Sequence, residues 1–217
     1  MPKEYIFAQN EIKTNSFNLK SNTANTDSME KIASDINNCK GCPLASTRKN
    51  TVPGEGVEKP LVLVIGEGPG AEEDRQGKPF VGAAGQLLDK MLGAINLSRK
   101  TNCFIANSVK CRPPDNRDPH PAEREACANF LQRQIIVLKP KFILLVGVVA
   151  AQCLLNTKDS VGKLHGKFID YKIKDMTIPL MVTYHPAWVL RNEENKRPVW
   201  EDLKIFKNRI ETEERTR

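Results

Sequence analysis

The stretch from Gly66 to Gly82 carries residue types that could bind a flat ligand and act on it. It follows the apolar run 61–65, which has the length of a strand, and precedes a segment with helical periodicity. Open α/β sheets bind their ligands at the carboxyl ends of such strands. Glycines and prolines would fix the shape of the loop, and Phe80 offers a stacking face. The alternative is a tight connection with Phe80 in the core.

The acidic residues of this loop argue against a phosphate site. A phosphate bound there would meet like charge, and no Gly-Lys-Ser/Thr sequence ends the loop. The carboxylates concerned are those of Glu67, Glu72, Glu73 and Asp74. We therefore predict that the loop holds a flat ligand and no phosphate group.

Two further polar residues lie at the ends of predicted strands. Asn107 lies in the β-rich segment 103–109, and His185 directly follows the apolar segment 179–184. Right-handed crossovers place the carboxyl ends of parallel strands on one edge of a sheet. We therefore expect Asn107 and His185 to approach the loop 66–82. Taken alone, Asn107 is also typical of a residue that caps a turn.

The six cysteines include two pairs with the spacing of metal ligands. Cys39 and Cys42 form a Cys-x2-Cys pair, and Cys111 and Cys127 flank a proline-rich loop. Four thiolates suit either Zn or an iron–sulfur centre, and spacing does not choose between them. Unligated buried thiols are the alternative. The other two cysteines, Cys103 and Cys153, fall within apolar patterns and are expected in the core.

The whole chain has 217 residues and a formal net charge of +7. No apolar run reaches the roughly 18 residues of a membrane helix, and the amino terminus lacks a segment of signal-peptide type. We expect a soluble, cytoplasmic protein, and the positive charge fits binding to a polyanion. Residues 1–27 lack periodicity and are predicted to form a flexible polar extension, with the folded domain at 28–217.

Elements of two kinds alternate along the chain, which favours an α/β fold. Four buried strands separated by helices indicate a mainly parallel sheet covered on both faces. We predict core strands at 61–65, 103–109, 142–147 and 179–184, an edge strand near 168–173, and helices from 28, 83, 121, 148 and about 198. The segment 66–82 is expected to be one long loop.

Three groups of motifs follow one another along the chain. They are Gly66-Glu67-Gly68-Pro69-Gly70 with Glu73-Asp74 and Gly77-x-Pro79-Phe80-Val81-Gly82, then Lys110-Cys111-Arg112-Pro113-Pro114 with Asn116-Arg117-x-Pro119, then His185-Pro186-Ala187 with Leu190-Arg191. Taken together, these motifs resemble the family 4 uracil-DNA glycosylases. The resemblance covers Cys39 to about Leu203, with the motifs in the expected order.

This resemblance implies a three-layer α/β/α sandwich around a mainly parallel four-stranded core sheet, and a monofunctional enzyme that releases uracil from DNA in base excision repair. It implies a [4Fe-4S] cluster held by Cys39, Cys42, Cys111 and Cys127. The pocket would be lined by Glu67, Gly68 and Pro69, with Phe80 stacking on uracil, Asn107 reading its edge and His185 facing its O2. We expect uracil-containing DNA as the partner and a monomer.

Two departures from the superfamily pattern leave roles open. Gly68 stands where the best-known branch has the Asp that orients water; Glu67, Glu73 or Asp74 could supply a carboxylate instead, and the sequence does not choose among them. Gly70 stands where that branch has the Tyr that blocks the thymine methyl, and Glu73 is the proposed replacement. The expected DNA contacts are an apolar wedge from Val189 and Leu190, buttressed by Trp188, and phosphate contacts from Arg112, Arg117 and Arg191.

Two other functions compete with this interpretation. One is a uracil-DNA-binding protein of the same fold that does not turn over or that traps DNA covalently; the segment between Cys111 and Cys127 has no room for the basic insertion of trapping relatives. The other is a Zn-stabilised nucleotide-binding protein that uses the Gly-rich turn.

Overall fold

The computed structural model describes residues 27–216 of the chain. The predicted extension 1–27 therefore lies outside the described residues except for its last member. Asp27 is ion-paired with Arg133, with carboxylate oxygens 2.6 and 2.8 Å from the guanidinium. Because the pair ties Asp27 to the body of the protein, the folded domain includes this residue.

A six-stranded mixed sheet forms the centre of the molecule. Its order is β1-β3-β2-β4-β6-β5. The four inner strands are parallel, whereas β1 and β5 pair antiparallel at the edges. The strands are β1 Glu55–Gly56, β2 Val62–Gly66, β3 Cys103–Asn107, β4 Phe142–Val146, β5 Phe168–Ile173 and β6 Met176–Thr183. The predicted parallel four-stranded core is confirmed, and so is the edge strand near 168–173.

Helices cover both faces of this sheet. One face packs against α4, α8 and α9, and the other against α5 and α6. The helices are α1 Met29–Asn37, α2 Leu44–Thr47, α3 Ala71–Gln76, α4 Ala83–Gly93, α5 Pro121–Leu138, α6 Val148–Leu155, α7 Val161–Leu164, α8 Pro186–Arg191 and α9 Lys196–Arg215. Strands β2, β3 and β4 are buried along their whole length, as expected for a sheet between two helical layers.

Several short elements differ from the sequence-based prediction, among them helices α2, α7 and α8, which were not predicted. The segment 66–82 contains the short helix α3, so the prediction of one uninterrupted loop was wrong. Glu73 stabilises this helix at its start by accepting from the backbone N–H of Gly70. The two-residue strand β1 was not predicted, because two residues give no periodicity. None of the helices between residues 27 and 216 is both long and apolar enough to cross a membrane.

Candidate functional site

The candidate site lies at the carboxyl end of β2, the strand from which the chain continues first to one side of the sheet and later to the other. Strand β2 has β3 on one side and β4 on the other, so their carboxyl ends form a topological switch point, where open α/β sheets bind ligands. Gly66 ends β2 and is in register with Asn107, which ends β3. Strand β6 ends two residues before His185.

Gly66 brings two of the predicted site residues together. A Cβ at this position would lie 2.5 Å from both Asn107 Oδ1 and Phe80 Cζ. Only glycine leaves space for the amide and the ring to meet over the end of β2. The neighbouring Gly68 packs against Val109, and Pro69 is buried.

The Phe80 ring also approaches His185. Their ring centroids are 5.7 Å apart and the planes are tilted by 32°. Across the sheet, Gly147 has φ +100°, and a Cβ there would lie 3.1 Å from the Cβ of His185. The structure thus brings Phe80, Asn107 and His185 together at one edge of the sheet, from three distant parts of the chain.

His185 is held in a defined tautomer at the start of α8. The backbone N–H of Ala187 donates to its Nδ1 at 3.1 Å, so in the neutral ring the proton is on Nε2. Burial lowers the pKa of His185 to about 4, with Arg191 acting in the same direction and Glu73 opposing it. At neutral pH the imidazole is therefore uncharged and carries a hydrogen-bond donor at Nε2.

Asn107 presents a buried acceptor that no group in the described part of the chain satisfies. The residue is 1% exposed, and its Oδ1 has no hydrogen-bond partner among the described residues. Its backbone carbonyl is held by Lys110, whose buried ammonium donates to it and to Gln134 Oε1, each at 2.7 Å. An unpaired buried acceptor at the end of a rigid strand is typical of a group that a ligand completes.

The acidic residues of the loop have separate roles. Glu73 accepts from the backbone N–H groups of Val81 and Gly82, both at 2.9 Å, in addition to Gly70. Asp74 is buried and accepts from the backbone N–H of Lys49 at 2.9 Å. Both carboxylates therefore shape the backbone around the site.

Glu67 differs from these two residues. No backbone N–H within residues 27–216 donates to its carboxylate. Burial and the neighbouring Asp118 together raise the pKa of Glu67 to about 7, against an opposing effect of Arg124. Its side chain is directed toward Asp118 and Arg124, whereas Phe80, Asn107 and His185 form a separate group. The structure does not join Glu67 to that group through a hydrogen bond.

The predicted DNA-contacting residues fall into two sets. Leu190 is 53% exposed, and Arg191 beside it is exposed as well. Val189 is 4% exposed and packs in the core, so the wedge prediction is carried forward for Leu190 alone. Behind them, Trp188 stacks on Tyr184 with ring centroids 4.2 Å apart.

The two arginines of the proline-rich loop are engaged with neighbours on that loop and on α5. Arg117 donates to both carboxylate oxygens of Glu123, at 2.7 and 2.9 Å, and Arg112 donates to Asn116 at 2.8 Å. These contacts hold the loop in shape. A phosphate contact by either arginine stays a prediction.

The four predicted metal ligands line one cavity. It lies between the end of α1, the loop after β3 and the first turns of α5, and is lined by Cys39, Cys42, Cys111 and Cys127. Within residues 27–216, no group of three or more His, Cys, Asp or Glu side chains is arranged as an assembled metal site. The cavity brings the cysteines together, and their ligation of a metal stays a prediction.

Hydrogen-bond donors surround the sulfur atoms. Arg48 Nη1 donates to Cys111 Sγ at 2.9 Å, and the backbone N–H groups of Lys110 and Gly41 donate to Cys127 and Cys39 at 3.3 and 3.4 Å. N–H donors of this kind stabilise thiolate ligands, and the cations of Arg48 and Lys110 offset their charge. The donor set therefore fits an iron–sulfur cluster.

Sequence reasoning gave no role to Arg48, Lys110 or Gln134. Each acts through a contact with a residue distant in sequence or with a backbone atom, and such contacts leave no spacing pattern. The only signal was the position of Lys110 between a polar strand end and a cysteine.

The fold, the meeting of Phe80, Asn107 and His185 at the switch point, and the cysteine cavity together define a class of protein. The chain belongs to the uracil DNA glycosylase superfamily, whose family model matches residues 53–204.

Among its relatives, a Type-4 uracil-DNA glycosylase of Pyrobaculum aerophilum is 43% identical over 182 residues, 82% of this chain and 92% of that protein. One of Thermotoga maritima is 40% identical over 188 residues, 85% of this chain and 96% of that protein. One of Archaeoglobus fulgidus is 39% identical over 182 residues, 82% of this chain and 91% of that protein.

Proposed function

We propose that this protein is a uracil-DNA glycosylase of the Type-4 kind, a repair enzyme that turns deoxyuridine out of DNA and hydrolyses its N-glycosidic bond. The observation that carries the proposal is the meeting of Phe80, Asn107 and His185 around Gly66, in a chain with Type-4 relatives over most of its length. Base extrusion is required because the bond to be cleaved is inaccessible within the duplex.

Recognition of uracil follows from the free acceptor of Asn107. Its Oδ1 accepts from uracil N3–H while its amide donates to O4, and the Phe80 ring stacks on the base. Cytosine presents an acceptor at N3 and a donor at N4, so the same amide orientation leaves buried groups mispaired. Each such mismatch costs about 1 to 3 kcal/mol.

His185 stabilises the departing base. Cleavage leaves positive charge on the sugar and negative charge on uracil, which the neutral imidazole meets by donating from Nε2 to O2. A positioned donor of this type contributes about 3 to 4 kcal/mol to transition-state stabilisation. The hydrogen bond from the backbone N–H of Ala187 to Nδ1 of His185 leaves the ring proton on Nε2, and so it makes Nε2 the donor.

The carboxylate that orients the attacking water is Glu67 or Glu73. The carboxyl group of Glu67 accepts from no backbone N–H within residues 27–216 and has a pKa of about 7, which suits a general base near neutral pH. Glu73 lies closer to the pocket and faces His185, but its oxygens accept from three backbone N–H groups. We favour Glu67 as the base and assign Glu73 to holding the loop, which also excludes the thymine methyl.

DNA binding uses the exposed end of α8 and the net positive charge. Leu190 fills the space left by the extruded nucleotide, and Arg191 beside it contacts a flanking phosphate. The proline-rich loop that carries Arg112 and Arg117 contacts the backbone further along. The protein acts as a monomer in the cytoplasm.

We further propose that Cys39, Cys42, Cys111 and Cys127 hold a [4Fe-4S] cluster. When bound, the cluster crosslinks α1, the loop after β3 and α5, and it takes no part in bond cleavage. The chain's own residues prepare this site, since Arg48 and the backbone N–H groups of Gly41 and Lys110 donate to the sulfur atoms. In this way the ligand set shapes the loop that carries Arg112 and Arg117.

The test is release of uracil from defined DNA. The protein is incubated with single- and double-stranded oligonucleotides that carry one uracil, and with matched oligonucleotides that carry thymine, followed by alkaline cleavage. We expect strand breaks at uracil only, and a loss of about 100- to 1000-fold in His185→Ala. Intact uracil strands with wild-type protein, or a wild-type rate in His185→Ala, would refute the proposal. An adduct stable to denaturing electrophoresis would indicate a covalent trap instead.

A further inference from the structure

We propose that Arg99 is a positioning residue for the reaction: it fixes the backbone of Phe80 so that the ring stands as a stacking plate in the pocket. The inference rests on the proposed function and adds a residue to it that lies outside the sequence motifs. Arg99 is in the connection between α4 and β3, and it is not a catalytic residue because it does not touch the substrate.

Phe80, which carries the stacking ring, has an unfavourable backbone conformation that other contacts must stabilise. Phe80 has φ +51°, in the left-handed region that an aromatic residue rarely adopts. Its carbonyl also packs directly onto α4, where a Cβ on Gly85 would lie 2.0 Å from both the carbonyl carbon and the oxygen. Such a conformation persists only when surrounding contacts determine it.

Arg99 supplies those contacts from one side. Its Nη1 donates to the carbonyl oxygen of Pro79 at 2.7 Å, and its Nη2 donates to that of Phe80 at 2.9 Å. The guanidinium is itself oriented by two carboxylates, Asp89 at 3.0 Å from Nε and Glu55 at 3.1 Å from Nη1. The fixed fork of an arginine can hold two consecutive carbonyls, which a lysine cannot do.

Glu73 holds the same loop from the other side. It accepts from the backbone N–H groups of Val81 and Gly82, which follow the plate in sequence. The carbonyls before the turn are thus bound by a guanidinium and the amides after it by a carboxylate. Between these two clamps, the Phe80 ring lies over Gly66 and toward His185.

The surroundings of Arg99 exclude a direct role in DNA binding. Its side chain is 12% exposed, and its donors are directed to the protein groups named above. Any effect of Arg99 on turnover should therefore pass through Phe80. An effect that depends on the Phe80 ring would distinguish positioning by Arg99 from a general loss of stability.

The experiment compares Arg99→Gln and Arg99→Lys with wild type in kcat/KM for uracil release and in the binding of free uracil by calorimetry. We expect kcat/KM to fall by about 10- to 100-fold in Arg99→Gln, because a small displacement of a positioning group has effects of that size. Free uracil should bind more weakly in parallel, and Arg99→Lys should fall between.

The matched control is Arg133→Gln. Arg133 has a similar exposed fraction, 14%, and two carboxylate partners, Asp27 and Asp35, but it lies on α5 away from the pocket. Urea unfolding measures what each variant loses in stability. Arg133→Gln should lose stability and keep its kcat/KM and its affinity for uracil.

A double-mutant cycle with Phe80→Leu decides the mechanism. In the Phe80→Leu background, Arg99→Gln should change kcat/KM by less than about twofold, because no ring remains to be positioned. An equal fold-loss in both backgrounds would overturn the proposal, as would unchanged uracil affinity in Arg99→Gln. Wild-type protein that binds uracil but releases none from DNA would defeat the proposed function, while the calorimetry would still test Arg99.

Discussion

The buried acceptor of Asn107 is expected to serve uracil binding and, at the same time, to lower the stability of the folded protein. The Oδ1 of Asn107 is buried without a hydrogen-bond partner among residues 27–216, and such a group destabilises a folded protein by about 1 to 3 kcal/mol. We therefore expect Asn107→Ala to leave the free energy of unfolding unchanged or higher, despite the small cavity it creates. In the same variant kcat/KM should fall by at least about 100-fold. Urea unfolding and uracil release measure the two quantities, and a clear loss of stability would contradict this account.

The pH dependence of kcat identifies the carboxylate that orients water. Since burial sets the pKa of His185 near 4, protonation of this residue affects the rate only in strong acid. If Glu67 is the base, its pKa of about 7 produces an acid limb near neutral pH. We expect Glu67→Gln to be slow and to lack this limb. A variant that keeps the wild-type pH profile would reassign the role to Glu73.

Residue types and spacing were enough to predict which side chains meet at the sheet edge, and not enough to predict what holds them. Asn107 and His185 end or follow an apolar run, so their position at a strand end could be derived from the sequence, and Phe80 lies in the segment that follows β2. Arg99 and Lys110 bind backbone carbonyls of other segments. A contact with a backbone atom does not depend on the identity of the residue that carries it, so no pattern in the sequence reveals it.

At the scale of elements, the buried strands were the most predictable part. Strands β2, β3 and β4 are mainly apolar and buried along their whole length because helices cover both sheet faces, and β6 is buried over its last four residues. Helix α3 was missed because six residues that include three acidic ones show no apolar periodicity, and its stability comes from Glu73 and the first-turn carboxylates. Glu73 also accepts from backbone N–H groups of the loop after α3, and this is a tertiary contact that gives no periodicity in the sequence.

Several elements form the cysteine cavity, so removing one of its cysteines should weaken the packing of those elements against one another. We expect Cys42→Ser to lose the visible absorption of an iron–sulfur cluster, to melt at a lower temperature and to bind DNA more weakly, because α1, α5 and the proline-rich loop are no longer crosslinked. Cys153→Ser is the control, since Cys153 lies on α6 outside the cavity. Wild-type protein that is colourless after anaerobic purification and contains stoichiometric Zn would contradict the assignment.

At the scale of the whole molecule, Glu67 and His185 change the free energy of unfolding in opposite directions as the pH rises. Burial raises the pKa of Glu67 from 4.5 to about 7, so the unfolded chain releases this proton first as pH rises. The free energy of unfolding therefore falls between these two pH values. Burial lowers the pKa of His185 from 6.5 to about 4, so its contribution rises with pH over that range. The two slopes oppose each other in the wild-type protein.

Replacing Glu67 separates the two contributions. Glu67→Gln keeps the slope of His185 and removes the slope of Glu67, so its stability relative to wild type should increase from pH 4.5 to pH 7 and then level off. Urea unfolding across this window measures the difference. The control is Glu72→Gln: a hydrogen bond from Arg75 lowers the pKa of Glu72 from 4.5 to about 2, so its contribution to the free energy of unfolding changes mainly below pH 4.5. A difference between Glu67→Gln and wild type that does not change with pH would mean that the Glu67 carboxyl titrates normally in the folded protein, and the same result would remove the case for Glu67 as a base tuned to neutral pH.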